Sequence, residues 1–207
     1  MGREKQKTHA VDFSDKDLDV LLSYFSFPLR NHSRRVAVCS SIMAEYAGHH
    51  SFLDGVSPAI VHLGGTCHDV GKLLIPAFPA DETVYMRHPL LGAEFLEKNK
   101  DAFFSNEQET QAVLEMVRCH HEQADGSGFP KGLCTKDIPM SAGICAIANR
   151  FDHLVVINDE ISQGSFNGAS RYIIDNAGKL FAESAVHCFE QVLSQIIEQY
   201  GKWKSVI

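Results

Sequence analysis

Apolar residues recur along much of the chain at intervals of three and four positions, which is the period of an amphipathic α-helix. Ser14 is the expected N-cap of the first such segment, and Pro28 is expected to end it. A second helix is predicted from about Asn31 to Ala47, with Gly48 directly after its last turn. The N-terminal part of the domain is therefore predicted to consist of two consecutive helices.

The later helices carry their own start signals. Ser57 followed by Pro58 is typical of an N-cap and a first helical position. Ser105 with Gln108 three residues later fits a capping box. By contrast, the stretch SQGSFNGAS at 162–170 is rich in turn-forming residues. Further helices are predicted at 88–98, from about 105 to 119, at about 140–156 and at about 183–200.

The pattern excludes a substantial sheet, because no run alternates between apolar and polar positions for long enough to predict a strand. We therefore expect an all-α fold, a helical bundle of about seven to eight helices. Residues 1–12 are polar and charged and are expected to form a flexible tail. Residues 13–207 are expected to form a single helical domain.

Composition narrows the classes of partner. The formal net charge of -7 argues against nucleic acid or an anionic membrane surface as a partner. A small phosphorylated ligand stays possible, because a bound metal ion can reverse the local charge of a site. No apolar run approaches the ~18 residues of a membrane span. Six cysteines without a CxxC pair, and no recognisable signal peptide, favour a cytoplasmic protein with reduced thiols.

Eleven histidines are an unusually high number for 207 residues, and several of them have acidic neighbours. The pair His68-Asp69 is the most informative, because an aspartate in an otherwise apolar segment is seldom buried without a partner. Nitrogen and carboxylate ligands suit manganese, iron or zinc better than calcium. The candidate ligands, each on or beside a predicted helix, are His32, His68, Asp69, His88, His120, His121, Asn149 and Asp152.

Each histidine taken alone also has a structural interpretation. His32 fits a solvated helix start, and His88 before Pro89 fits a turn. One of His120 and His121 would suit the surface and the other the core. A further set is interpreted as structural or surface residues only: His49, His50, His62, His153 and His187.

The order of motifs resembles the HD-GYP family over residues 30 to 193. The segments that carry the resemblance are CHDVGKLLIP, HPLLGAEFL and CHHEQADGSGFPKGL, followed by ANRFDHL. An isolated His-Asp pair would be weak evidence, but this ordered combination is specific. Phe129 stands where the family name has tyrosine, which keeps the ring and loses the hydroxyl.

The resemblance implies a helical HD-superfamily fold with bound iron or manganese. It also implies an enzyme that hydrolyses cyclic di-GMP. By motif position, Asp69 would bridge two ions, and Lys72 would lie near the scissile phosphate. One ion would be coordinated in addition by His88, His120 and His121, and the other by His32 and His68. The glycine-rich loop would border the substrate cavity with Asp125, Gly126, Gly128, Phe129 and Pro130.

The chemistry that this set implies is phosphate ester hydrolysis. Two divalent ions ~3.5–4 Å apart can supply a hydroxide near neutral pH and clamp phosphate oxygens as charge develops. A nearby lysine stabilises the same anionic transition state. Glycines allow positive φ angles and close backbone approach, so the loop after His121 can shape the rim of the cavity.

The chain departs from the family pattern at four places that bear on function, one of which is a shorter stretch between Lys72 and His88. Asn149 replaces a metal-binding aspartate, although Asp152 remains one turn later, where it could act as a base or through indirect ligation. Pro28 replaces a glutamate that supports a third ion in some members, so at most two ions are expected. Asp159 and Glu160 stand in a segment where the family has cationic residues.

Three functional hypotheses remain open from the sequence. The first is a binuclear phosphodiesterase for cyclic di-GMP or a related phosphate ester. The second is a catalytically degenerate module that signals by binding a nucleotide or a partner, such as a diguanylate cyclase domain. The third keeps the enzyme but changes the substrate, for instance to a mononucleotide. A substrate panel and the behaviour of an Asp69 variant separate these hypotheses.

Overall fold

The computed structural model describes residues 18–53, 55–76 and 81–204, and these fold into ten α-helical segments and one small hairpin. Eight helices have six or more residues, while α4 and α6 are single turns. This confirms the prediction of an all-α fold with about seven to eight helices. The segments are α1 Leu18–Ser23, α2 Phe27–His49, α3 Pro58–Cys67, α4 Glu82–Tyr85, α5 His88–Lys98, α6 Lys100–Phe103, α7 Glu107–Cys119, α8 Met140–Val155, α9 Phe166–Asp175 and α10 Glu183–Lys204.

Helix α2 begins earlier than its sequence pattern predicts. The Ser26 side chain accepts a hydrogen bond from the Leu29 amide at 3.5 Å, and Pro28 lies in the first turn of α2. The prediction that Pro28 ends the preceding helix is therefore wrong. A proline lacks only an N–H that the first turn leaves unbonded, so it fits a helix start as well as a helix end. The predicted cap at Ser14 lies outside the described residues.

Two of the other predicted helix starts are confirmed. Ser57 caps α3 by accepting from the Ile60 amide at 3.3 Å, and α5 has the predicted bounds. The predicted N-cap of α7 is wrong by one residue, because Asn106 rather than Ser105 accepts a hydrogen bond from the Glu109 amide, at 2.9 Å. An asparagine oxygen serves this purpose as well as a serine hydroxyl.

The segment around 156–175 differs most from the prediction. It forms a two-stranded antiparallel hairpin, β1 Val156–Ile157 with β2 Glu160–Ile161, followed after a 3-10 turn by α9. These strands are too short for an alternating pattern to reveal them. Helix α9 begins inside the stretch whose composition predicts turns. Helix α10 likewise continues through Gly201, where the pattern predicts its end.

Two apolar clusters hold the helices together. The larger includes Phe151, Phe189 and Tyr200, from α8 and α10, together with much of α2 and α9. The smaller includes Leu96 and Leu114 and joins α1, α3, α5 and α7. Helix α3 packs against both α2 and α7, and α8 packs against the same two helices. In the described part of the chain, no helix combines the length and the apolar character that crossing a lipid bilayer requires.

Candidate metal centre

The candidate ligands come together where several helices begin or end. His32 lies in α2, His68 and Asp69 directly follow α3, and His88 is the first residue of α5. His120 and His121 directly follow α7. Such positions suit metal ligands, because side chains from neighbouring packed helices can converge on one site.

Gly71 explains how close the α5 start lies to Asp69. A Cβ atom at this position would overlap the carbonyl oxygen of His88 and contact the backbone nitrogen of Gly92. The 3-10 turn Val70–Leu74 therefore packs backbone against backbone on the first turn of α5. This contact brings His88 next to Asp69.

The two carboxylate oxygens of Asp69 face two groups of histidines. Oδ2 lies 3.6 Å from Nε2 of His32 and 3.3 Å from Nε2 of His68. Oδ1 lies 3.3 Å from Nε2 of His88 and 3.8 Å from Nε2 of His120. Within each group the ligand atoms lie within 4.8 Å of one another, the first group being His32, His68 and Asp69, and the second Asp69, His88, His120 and His121.

Hydrogen bonds on the far side of the rings fix which nitrogen faces Asp69. The Nδ1 atoms of His68, His88 and His120 lie 2.7–2.8 Å from backbone carbonyls, those of Gly65, Tyr85 and Val117. A carbonyl only accepts, so each Nδ1 carries the proton and donates it. In the neutral rings each Nε2 then presents a lone pair to the centre, which is the arrangement that metal-binding histidines use.

The same geometry creates a cluster of acceptors that only a cation or added protons could satisfy. The Nε2 atoms of His32 and His68 lie 3.3 Å apart, and those of His88 and His120 are also 3.3 Å apart. The buried Oδ1 of Asp69 and Nε2 of His121 have no hydrogen-bond partner among the described residues. Lone pairs that face each other in a buried site repel, and divalent ions would resolve this conflict. The residues present thus fit bound metal.

Protonation at the centre also suits metal binding. Burial lowers the pKa of His68, and it lowers the pKa of His121 to about 3, with the neighbouring His88 adding to the effect. Burial would raise the pKa of Asp69, but His68 and Lys72 outweigh it and hold the pKa well below its usual value. Neutral imidazoles beside an ionised carboxylate are the forms that bind cations.

Lys72 lies at the edge of the centre. Its Nζ donates to Oδ2 of Asp69 at 2.6 Å and lies 5.4 Å from the centroid of the Tyr85 ring. Burial would lower the pKa of Lys72, but the carboxylate of Asp69 outweighs it and raises the pKa. The ammonium group therefore stays charged beside the candidate ligands, where it can contact an anionic ligand.

Asp152 has little capacity left for proton transfer. It accepts from Nδ1 of His32 at 2.7 Å, from Nε of Arg35 at 2.6 Å and from the hydroxyl of Tyr200 at 2.6 Å. Burial would raise its pKa, but the hydrogen bonds from His32 and Arg35 outweigh it and bring the pKa to about 2. Of the two roles considered from sequence, this geometry favours indirect ligation through the His32 ring over action as a base.

Helix α8 carries two further residues toward the centre. Asn149 is buried, and its Oδ1 has no hydrogen-bond partner among the described residues. It lines a cavity of about 180 Å³ together with His120 and His121. One turn later, the ring of His153 stacks on that of His32 with centroids 4.5 Å apart. Sequence reasoning treats His153 as structural or surface, and its spacing of four residues from Asn149 is the clue that could have placed it here.

The glycine-rich loop folds back on the end of α7. A Cβ at Gly128 would overlap the backbone of Gln123 and His121, so the close return of the loop requires glycine at this position. The Phe129 amide then donates to the carbonyl of His121 at 3.1 Å, and the two rings stack with centroids 4.6 Å apart. The cis peptide bond between Phe129 and Pro130 lies in the same turn.

Acidic residues and a second glycine order the remainder of the loop. The buried Glu122 carboxylate accepts from the amides of Lys131 and Leu133 at 2.8 and 2.9 Å. Asp125 accepts from the Ser127 amide at 2.9 Å, while Gly126 has a φ of 82°. The loop is thus fixed by its own hydrogen bonds, beside the histidine ligands.

A larger cavity of about 740 Å³ opens on the other side, next to His32 and Lys72. Its lining is divided equally between apolar or tyrosine residues and polar or charged residues, several of which lie beside the candidate ligands. Such a size and lining suit a small-molecule ligand. The lining residues are Tyr24, Ser26, Pro28, Leu29, His32, Arg35, Lys72, Leu73, Ile75, Pro76, Tyr85, Asp152, His153, Val156, Asn158 and Asp159.

The fold and the donor set define an all-α domain with a site suited to divalent ions. Residues 29–154 match the HD domain family, and the chain therefore belongs to that family. It is 28% identical over 196 residues to a cyclic di-GMP phosphodiesterase of Thermotoga maritima, covering 90% of this chain and 50% of that protein. It is 35% identical over 133 residues to 3'3'-cGAMP-specific phosphodiesterase 2 of Vibrio cholerae, covering 59% of this chain and 23% of that protein.

Solved structures support the same fold. The HD domain of the phosphodiesterase PgpH from L. monocytogenes, in complex with cyclic-di-AMP, aligns with a TM-score of 0.58 at 16% identity. The alignment covers 89% of this chain and 97% of that domain. The expected resemblance to phosphodiesterases of the HD-GYP type is confirmed by these relatives. The chain spans half of the length of the Thermotoga relative and about a quarter of the Vibrio relative.

Proposed function

We propose that this chain is a metal-dependent phosphodiesterase that hydrolyses a cyclic dinucleotide, with cyclic di-GMP as the first candidate and iron or manganese as the ions. The observation that carries the proposal is that Asp69 presents one oxygen to each of two histidine groups. Divalent ions held there would supply Lewis-acid stabilisation of phosphate charge and a hydroxide near neutral pH.

The residues of the chain contribute binding and orientation. Lys72 holds a positive charge at the boundary between the ligand groups and the larger cavity, where a phosphate would bind. Asp152 fixes the ring of His32, and Phe129 stacks on His121, so both ligand groups are supported by neighbouring side chains. The cavity beside Lys72 is large enough to admit a nucleotide.

One observation favours a second candidate function, a nucleotide-binding or partner-binding module without turnover. Asn149 supplies a neutral amide oxygen where a carboxylate would bind a cation more strongly. A centre with weakened metal binding could keep the cavity and lose catalysis. Such a module would act through the bound nucleotide or through a partner such as a diguanylate cyclase domain.

Hydrolysis of cyclic di-GMP by the chain loaded anaerobically with Mn²⁺ or Fe²⁺ tests the proposal. Asp69→Asn keeps the side-chain shape and removes the charge shared by the two groups, so turnover should be lost. The matched control is Asp101→Asn in α6, because Asp101 is exposed and outside both groups. Wild-type protein that binds cyclic di-GMP but does not hydrolyse it would favour the second candidate.

A further inference from the structure

The hairpin that follows α8 places an acidic turn on the wall of the larger cavity. β1 and β2 pair Val156 with Ile161 and Ile157 with Glu160, which leaves Asn158 and Asp159 as a two-residue turn. Both turn residues have positive φ angles, 52° and 64°, as a tight hairpin turn of this length requires. Both also line the cavity that adjoins His32 and Lys72.

The charged side chains that line this cavity differ in whether they have a partner of opposite charge. Its two cationic lining residues already have carboxylate partners, since Lys72 pairs with Asp69 and Arg35 pairs with Asp152. Asp159 has no direct hydrogen bond or ion pair with any residue that the structure describes, although its charge is close enough to help raise the pKa of Arg35. A carboxylate with open acceptor positions in a cavity next to a phosphate site calls for a ligand that brings hydrogen-bond donors.

We propose that Asp159 selects guanine over adenine in the nucleotide bound at this site, an inference that rests on the proposed function. The Watson–Crick edge of guanine presents two adjacent donors, N1–H and the N2 amino group. A carboxylate can accept both at once, and such charge-assisted pairs are strong. Adenine has an acceptor at N1, so N1 and the carboxylate oxygen would face each other with no hydrogen atom between them.

The rest of the cavity suits the faces of a purine. Tyr24 and Tyr85 contribute aromatic rings to its lining, and Leu29 and Leu73 contribute apolar surface. Aromatic rings stack on any base and give affinity without selectivity. Selectivity between bases therefore has to come from polar groups at the edge of the base, and Asp159 is suited to that task.

This assignment also accounts for a departure from the family pattern. Carboxylates in the 158–165 segment are poor contacts for phosphate, and the sequence alone offers no reason for them. A carboxylate that contacts the base rather than the phosphate removes the difficulty. The relatives differ in the base of their ligands, since their names specify cyclic di-GMP, 3'3'-cGAMP and cyclic-di-AMP.

Binding of guanosine, inosine and adenosine 5′-monophosphates to the Mn²⁺-loaded chain, measured by calorimetry, tests the inference. We expect wild-type protein to prefer the guanosine nucleotide over the adenosine nucleotide by about tenfold, the scale of one charge-assisted contact. The inosine nucleotide, which keeps N1–H and lacks the amino group, should fall between them.

The diagnostic variant is Asp159→Asn, because asparagine also tolerates a positive φ and should keep the turn. It should reduce the preference for guanine to about twofold or less, mainly by weakening the guanosine nucleotide. The matched control is Glu160→Gln, since Glu160 is the next exposed carboxylate and does not line this cavity. This control should keep the wild-type preference.

Three results would overturn the inference: equal wild-type binding of guanosine and adenosine nucleotides, no nucleotide binding, or equal weakening of all three ligands by Asp159→Asn. The last result would indicate a ribose contact instead.

These ligands are not cyclic, so the measurement does not depend on turnover. Selective binding without hydrolysis of cyclic di-GMP would refute only the proposed function. Equal hydrolysis of cyclic di-GMP and cyclic-di-AMP would refute only the role of Asp159.

Discussion

Nδ1 of His32 and Oδ2 of Asp152 lie 2.7 Å apart, although 120 positions separate the two residues along the chain. The other oxygen of Asp152 accepts from Arg35 and from the hydroxyl of Tyr200, each at 2.6 Å. One buried carboxylate thus joins α2, α8 and α10 and also orients a candidate ligand. Structural stability and metal binding are coupled at this position.

Asp152→Asn should weaken both properties. The buried Arg35 loses its anionic partner, which should lower the free energy of unfolding of the metal-free protein by about 3 kcal/mol. The His32 ring loses its orienting acceptor, and metal affinity should fall by about 10–100-fold. Chemical denaturation and titration with Mn²⁺ measure the two effects separately.

Tyr200→Phe is the control for Asp152→Asn, because it removes one hydrogen bond to Asp152 and leaves the His32 contact in place. It should lower the free energy of unfolding by about 1 kcal/mol. Metal affinity should stay within about threefold of wild type. Unchanged metal affinity in Asp152→Asn would contradict the orienting role.

Gly71→Ala tests the packing that brings His88 to Asp69. The added methyl would overlap the His88 carbonyl, so the 3-10 turn and α5 must separate. We expect a loss of about 3 kcal/mol in the free energy of unfolding and weaker metal binding. The control is Gly48→Ala near the end of α2, where a Cβ meets nothing within 4 Å.

Gly48→Ala should raise the free energy of unfolding by about 0.5–1 kcal/mol, because alanine loses less conformational entropy in a helix. Equal stability of the two alanine variants would show that the turn next to His88 adapts freely. Close backbone packing would then not explain why glycine occupies position 71.

Asn149→Asp should increase metal affinity. The Asn149 oxygen is buried without a hydrogen-bond partner among the described residues, and an anionic oxygen there would attract a cation more strongly. Competition with a chelator measures the change, with Asn167→Asp on the exposed face of α9 as the control. No gain in affinity would count against a place for residue 149 in the metal centre.

Several elements were predictable because their signals are local. The Ser57–Pro58 start of α3 and the bounds of α5 follow from capping residues and proline within a few positions. The start of α2 was not predictable from Pro28, since proline is compatible with both ends of a helix. Helix α9 was missed because Gly164 and Gly168 give the region of its first turn the composition of a loop.

The candidate ligands and their division into two groups around Asp69 could be proposed from the resemblance to a known family, but not from the spacing of the residues alone. No spacing shows that the two oxygens of Asp69 face different histidines, because those histidines come from four segments far apart in the chain. The engagement of Asp152 by Tyr200 also depends on how α10 packs on α8. Long-range packing, unlike capping, leaves little trace in a short window of residues.

Asp69 is the residue on which the two metal-binding groups depend. Elemental analysis of protein loaded with Mn²⁺ or Fe²⁺ under anaerobic conditions tests this dependence directly, with Asp69→Asn measured in parallel. We predict close to two ions per chain for the wild type, one for each group, and a marked loss from both groups in the variant. One ion or none in the wild type, or full metal content in Asp69→Asn, would contradict a centre joined by Asp69.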